Sequence, residues 1–389
     1  MSGRIRGAVS WGLLGTLVLI AVVEWRLARN DVHLAGIGPL CWRGSRCATR
    51  QALRSEILCF GTSLSKSGLL PRVIERRTGR SAYNLAVFSG PMASSYFLLR
   101  RALEAGARPV AVVIDAQDGP IDRDRRRERP EALTSNWRTW PELLDLRDCL
   151  DLSWSARDAG FFAAMILAKE LPSYRSRFEI RSSILAAFQG RSDSTWPETV
   201  WFQRNLTINQ GAFVLARNPQ SQARRREDAA SAAPSRPGTR RGIRWARNKL
   251  SASYTRRFLD LAATHGITVF WLLPPLSPEV QAQRERSGVD DYLTRCAHEA
   301  QAHSCPVIVL DGRRSGYDGR VFSDNSHLDR HGATTLSTDV AAVIRHSFAH
   351  PAAVPRWVVL PAYRDLATDF PAEDLAQSQA ALIQQARRR

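Results

Sequence analysis

Two short motifs, far apart in the chain, carry the residue types that make a hydroxyl nucleophilic. Cys59-Phe60-Gly61-Thr62-Ser63-Leu64-Ser65 follows the apolar pair Ile57-Leu58, and Phe322-Ser323-Asp324-Asn325-Ser326-His327-Leu328 precedes a helical C-terminal stretch. A serine hydroxyl attacks a carbonyl carbon only when a neighbouring base takes its proton and a third group orients that base. Ser63, His327 and Asp324 supply those parts, in the chain order Ser…Asp…His. Asp324 and His327 are three residues apart, so a single turn can bring the carboxylate to the imidazole. Each residue alone has a plainer use: Ser63 and Asp324 as helix caps, His327 as a surface histidine near a helix start. His327 and His331, with Asp329 between them, lack a third ligand, and no metal is expected there.

The elements that must position these residues follow from the hydrophobic pattern. Short apolar runs alternate with amphipathic stretches, which predicts a parallel sheet covered by helices. Strands are expected at 57–60, 82–87, 109–114, 267–273 and 307–310, with helices over 68–78, 93–105, 251–264, 290–302 and 332–347. Ser63 then lies in the turn after the first strand, at the carboxyl edge where open α/β folds bind ligands. The segments after the second strand (84–90), the third (Asp115-Ala116-Gln117-Asp118) and the fifth (Asp324, His327) return to the same edge.

Between the third and fourth strands, 119–249 reads as a mainly helical insertion, with helices at 156–169 and 177–188 and a hairpin over 199–215. Its end, 220–244, is rich in Arg, Ala, Ser and Pro and is expected to be a flexible loop. Trp137, Trp140, Trp154, Trp196 and Trp201 suit either a sugar-stacking platform or the packing of a helical cap. After His350, an apolar piece at 357–360 and a polar helical end are expected to serve packing.

The 389 residues carry a formal charge of +18. Lys66, Lys169 and Lys249 are the only lysines, so the excess is arginine spread along the chain. No recognition motif accompanies it, and nucleic acid is not an expected partner. An anionic membrane surface or polysaccharide suits the charge better.

Residues 8–23 (AVSWGLLGTLVLIAVV) are uncharged, with Arg4 and Arg6 before them. The run is slightly short of the ~20 residues that span a bilayer. No small-x-small cleavage site follows in Glu24-Trp25-Arg26-Leu27, which favours an uncleaved anchor over a signal peptide. The expected organisation is an anchor (1–27), a juxtamembrane segment (28–54), an extracytoplasmic domain (55–349) with its insertion at 119–250, and a tail (350–389). Six cysteines fit an oxidising compartment. Cys41 could pair with Cys47 and Cys296 with Cys305, whereas Cys59 and Cys149 read as apolar fillers. Without a Cys-x-x-Cys pair, a structural zinc site is not expected.

These motifs together resemble the SGNH/GDSL hydrolase superfamily, especially its membrane-associated branch, which is similar to proteins of exopolysaccharide O-acetylation. Phe60-Gly61-Thr62-Ser63 is similar to the first block, and Tyr83-Asn84-Leu85-Ala86 through Gly90 to the second. Asp115-Ala116-Gln117-Asp118 stands in the place of the Gly-x-Asn-Asp third block. Asp324-Asn325-Ser326-His327-Leu328, with Gly332 beyond it, is the most specific match, to the Asp-x-x-His block.

The resemblance implies a three-layer α/β/α, flavodoxin-like fold with a five-stranded parallel sheet. It implies Ser63, His327 and Asp324 as the catalytic residues, and the Ser63 and Gly90 amides with the Gln117 side chain as oxyanion donors. No cofactor is implied. The expected substrate is an acylated small molecule or glycan, with water (esterase) or a sugar hydroxyl (O-acyltransferase) as acceptor and a possible membrane-protein partner. Thr62 replaces the usual Asp before the serine, and Gln117 replaces the oxyanion-hole Asn. Losing one oxyanion donor slows such chemistry about 100- to 1,000-fold, so a catalytically degenerate glycan-binding or scaffold protein is the alternative. A nucleophile elbow of the α/β-hydrolase type needs glycine where Ser65 stands.

Overall fold

The computed structural model describes residues 11–29, 37–115, 121–122, 139–189, 196–217, 245–246, 248–351, 353–366 and 372–388. The run Ile57-Leu58-Cys59-Phe60 is apolar on both faces, and such a strand is stable only inside a sheet covered on both sides. It forms β1 (Ile57–Phe60), flanked by β2 (Ala82–Asn84) and β3 (Ala111–Ile114). Beyond β3 lie β4 (Thr268–Leu273), β5 (Val307–Asp311) and β6 (Trp357–Val359), giving the order β2-β1-β3-β4-β5-β6. All the pairings are parallel; Cys59 stands opposite Asn84 on one side and Val113 on the other.

Two helices precede the sheet, α1 (Trp11–Arg29) and α2 (Ile37–Ala48). β1 leads through α3 (Ser63–Gly68) and α4 (Pro71–Thr78) into β2, and α5 (Met92–Glu104) crosses to β3. The insertion holds α6 (Trp140–Leu143), α7 (Leu146–Ala156), α8 (Ala159–Glu170), α9 (Pro172–Arg175), α10 (Arg177–Phe188) and α11 (Trp196–Ile208). α12 (Lys249–Thr264) returns the chain to β4, and α13 (Pro278–Ser287) with α14 (Val289–Gln301) leads to β5. α15 (Arg330–Ala349) leads to β6, and α16 (Leu375–Arg387) follows it.

Side chains alternate about the sheet as a period of two requires. Leu58, Phe60, Val112, Ile114 and Trp271 pack with Phe97 of α5, Phe258 of α12 and Leu293 of α14. Ile57, Cys59, Val113, Phe270 and Leu272 pack with Val73 and Ile74 of α4 and Leu336 and Val340 of α15. Each such side chain contributes about 1.5–3 kcal/mol on burial, so these two layers hold the sheet edge in place.

The fold is therefore α/β with a parallel sheet, but the sheet has six strands where the sequence reading gives five. The extra strand is β6, three edge residues between Pro355 and Pro361, of which Trp357 and Val358 are half-buried and Val359 is exposed. The expected hairpin at 199–215 is also corrected. Its first part is α11, and only Leu215 makes a bridge, to Asp329. The loop expected at 220–244 lies outside the described residues. All six cysteines are free thiols, so neither expected pairing forms; Cys41 and Cys47 share helix α2. α1 is 19 residues long with mean hydropathy 1.6 and no buried residue. At about 1.5 Å per residue it spans about 28 Å, long and apolar enough to cross a membrane.

Candidate active site

In the order β2-β1-β3 the chain leaves β1 toward one neighbour and later returns on its other side, which opens a crevice beyond the carboxyl ends of β1 and β3. The turn after β1 enters that crevice. Gly61 has φ 119°, a left-handed conformation, and a Cβ there would overlap the Asp115 carboxylate. Only glycine lets the turn and Asp115, at the end of β3, approach so closely. Asp115 then accepts hydrogen bonds from Thr62 N (2.6 Å), Ser65 N (2.7 Å) and Thr62 Oγ1 (3.1 Å). The carboxylate thus holds the amides on both sides of Ser63, and Thr62 Oγ1 caps α3 by accepting from Leu64 N at 3.2 Å. Burial pushes the Asp115 carboxyl up to about 7, against the amides of Thr62 and Ser65, which favour its charge.

Behind the turn, Asn84 donates to Ser65 O and Leu69 O, both at 2.9 Å, and accepts from Ala86 N at 3.0 Å. Lys66 is fully buried on α3, and its Nζ donates to Ser45 Oγ of α2 at 3.1 Å. Burial pushes that ammonium below its ordinary value.

The second motif is held as firmly. Phe322 and Leu328 form an antiparallel bridge, and Ser323 N donates to His327 O at 2.8 Å, closing the loop 323–327. Asp329 accepts from His331 N and Gly332 N and so caps α15. The insertion contributes too: Ser323 Oγ donates to Ala216 O at 2.7 Å, Arg330 N to Leu215 O at 2.9 Å, and Arg217 Nε to Asp329 Oδ2 at 3.0 Å.

These supports bring the three expected residues together. Ser63 Oγ lies 2.7 Å from His327 Nε2, and His327 Nδ1 lies 2.6 Å from Asp324 Oδ2. Asp324 Oδ1 accepts the amides of Ser326 (2.7 Å) and His327 (2.8 Å). Partial burial would raise the Asp324 carboxyl, but these bonds and the imidazole outweigh it and bring it down to about 2. An ionised Asp324 places the imidazole proton on Nδ1, which leaves Nε2 as an acceptor for the Ser63 hydroxyl proton.

The expected oxyanion donors are less completely assembled. Ser63 N, at the start of α3, has no hydrogen-bond partner among the described residues. Gly90 N donates instead to Val87 O at 3.1 Å, while Val87 N donates to Gly61 O at 3.1 Å. A Cβ at Gly90 would meet Val87 Cγ2 at 2.6 Å and Gly61 O at 2.8 Å, so the turn needs glycine for close packing against the Ser63 turn. Ser89 beside it has φ 51°, unusual for a residue with a side chain. Gln117 lies outside the described residues.

Among the tryptophans, Trp140 is buried edge-on against Trp42 at 4.9 Å and Trp154 is 83% exposed on α7. Trp137 and the side chain of Trp196 lie outside the described residues, and Trp201 of α11 is half-buried. Asp115 and the 212–217 segment are the supports that sequence reasoning missed. An acidic residue closing an otherwise apolar strand was the available signal for the first. No protein-family model matches the chain, and no curated protein matches it in sequence.

Proposed function

We propose that this chain is a membrane-anchored serine esterase or O-acyltransferase of the SGNH type, acting on small acyl groups of a cell-envelope or secreted glycan. The observation that carries the reading is the continuous array Asp324–His327–Ser63, with spacings of 2.6 and 2.7 Å. His327 takes the Ser63 proton as Oγ attacks the acyl carbonyl. The same proton goes to the departing alcohol, which leaves an acyl-serine. Water or a sugar hydroxyl then gives its proton to His327 and attacks the acyl carbon, and as the bond to Ser63 Oγ breaks His327 returns that proton to the serine oxygen. Asp324 keeps the imidazole oriented and stabilises its charged form.

The Ser63 amide is the available oxyanion donor, and Gly90 joins it when the 87–90 turn releases its amide. The body lies on the extracytoplasmic side in this reading, held by α1, with a membrane-protein partner supplying the acyl donor where the acceptor is a glycan. A second reading, a non-catalytic glycan-binding or scaffold protein on the same fold, is favoured by the engagement of Gly90 N with Val87 O. Incubation of the full chain with 4-nitrophenyl acetate and an acetylated glycan, followed by mass spectrometry, separates the two. Acetyl-Ser63 with ester turnover supports the enzyme; glycan binding without either supports the scaffold.

A further inference from the structure

Beside the end of α1 the body carries a cationic cavity and a group of exposed apolar side chains. Ser173 of α9 donates to Glu24 of α1 through both its amide, at 2.9 Å, and its hydroxyl. Glu24 is the first charge after the apolar part of α1, and Arg26 and Arg29 follow it. In a membrane-crossing helix that is the level of the lipid headgroups. α9 and its neighbours are therefore fixed at headgroup height.

Two residues beyond Ser173, Arg175 joins Arg43, Arg46 and Lys169 around a cavity of about 400 Å³ that also contains Glu142 and Glu170. Four cations thus face two carboxylates. Arg43 is paired with Glu142 at 2.7 Å, and Arg175 shares that carboxylate at 3.7 Å. Lys169 Nζ donates to Leu144 O at 2.6 Å and Arg46 Nη1 to Glu142 O at 3.4 Å, so both are oriented by carbonyls, and neither forms a salt bridge with the two carboxylates of the cavity. That surplus suits a phosphate.

From the same place run exposed apolar residues: Leu167 on α8, Leu171 before α9, and Phe178, Ile184, Leu185 and Phe188 on α10. Phe188 is 86% exposed. Arg177 lies over the rings of Tyr174 and Phe178, at 4.1 and 5.0 Å. Arginine guanidinium groups over aromatic rings, beside exposed aliphatic side chains, suit the headgroup level, where such stems lie against apolar surface while the charge stays in water.

We infer that α8–α10 form a second membrane contact, with an anionic lipid headgroup phosphate in the Arg43–Arg46–Lys169–Arg175 cavity and α10 resting among the headgroups. The occupant is the bilayer that α1 enters, so the inference rests on α1 crossing it. Two attachments fix the tilt and height of the body, and with them the height of Ser63 above the membrane.

The test is hydrogen–deuterium exchange of the full chain in detergent, in phosphatidylcholine nanodiscs, and in nanodiscs containing phosphatidylglycerol. Peptides of Trp11–Arg29 report on α1, and those of Arg177–Phe188 report on the second contact. Each basic side chain at an anionic surface favours docking about fivefold, so the α10 peptides should exchange at least about fivefold more slowly in the phosphatidylglycerol discs than in the other two media. The exposed-site variant Ile184→Ser/Phe188→Ser should lose that protection while keeping that of α1. Inorganic phosphate added in detergent should not reproduce it. Equal exchange of the α10 peptides in all three media, with α1 protected in the discs, overturns the inference and leaves the anchor standing. Protection of α10 in detergent, or by free phosphate, overturns the lipid as occupant. An unprotected α1 removes the anchor and the inference together.

Discussion

Replacing Asp115 by Asn turns a titrating group at the foot of the Ser63 turn into a permanently neutral one of nearly the same shape. In the folded chain burial raises the Asp115 carboxyl from 3.8 to about 7, the amides of Thr62 and Ser65 only partly opposing it. A folded pKa above the unfolded one means that folding favours the neutral form. The contribution is therefore complete below pH 3.8 and is lost as the pH rises through about 7. At about 1.4 kcal/mol per pH unit the loss across that interval is about 4 kcal/mol. Asp115→Asn removes the titration. Whatever constant offset it introduces, the stability difference between variant and wild type should shift in the variant's favour by about 4 kcal/mol across this interval. Urea unfolding of the detergent-solubilised full chain from acid to mildly alkaline pH, both proteins under identical conditions, reads that difference directly. Parallel stability curves would refute the reasoning and mean that the amides of Thr62 and Ser65 keep Asp115 ionised throughout.

Other expectations follow from the same geometry. Asp324→Asn sets an amide NH2 against the Ser326 and His327 amides or the imidazole Nδ1 proton, and should slow reaction of Ser63 with an organophosphorus probe by about 10²- to 10⁴-fold. Because Asp324 is brought down to about 2, its contribution to stability is present above pH 3.8 and disappears only as the pH falls through about 2. Unfolding curves for that variant and wild type should therefore run parallel from neutral pH to pH ~4.5 and converge below it. Gly61→Ala imposes φ 119° on a residue with a Cβ and pushes it into Asp115; strain alone should remove about 1–3 kcal/mol of stability, with loss of probe reactivity. After alkaline carbonate extraction the chain should remain in the membrane fraction, and release into the supernatant would contradict a bilayer-crossing α1.

Much of the architecture is legible in the sequence because it is written in apolar runs. β1, β3, β4 and β5 are buried on both faces, so their sequences stand out from polar surroundings. β6, with two half-buried residues and an exposed one, shows only as the short apolar piece at 357–360, which does not by itself distinguish a strand from packing of a tail. α11 is hidden for a different reason. Thr199, Phe202 and Asn205 mark its buried face, and two of the three are polar. Asn205 donates to Glu373 O and accepts from Val214 N, and Asn209 also donates to Glu373 O, so burial is satisfied by hydrogen bonds that no hydropathy pattern displays.

The site divides in the same way. Ser63, Asp324 and His327 can be read from motif and strand order, and they meet at hydrogen-bond distance. Asp115 could be placed at the edge but not given its role, because its grip on the Ser63 turn depends on the backbone angle at Gly61. The hydrogen bond from Gly90 to Val87 is likewise a property of the turn rather than of residue type.

The most direct measurement of whether Ser63 is an activated nucleophile is stoichiometric labelling of the full chain with a fluorophosphonate. We expect one label per chain, on Ser63, absent from Ser63→Ala and His327→Ala and strongly slowed in Asp324→Asn. A folded wild-type chain that takes no label, or a Ser63→Ala chain that still does, would contradict it.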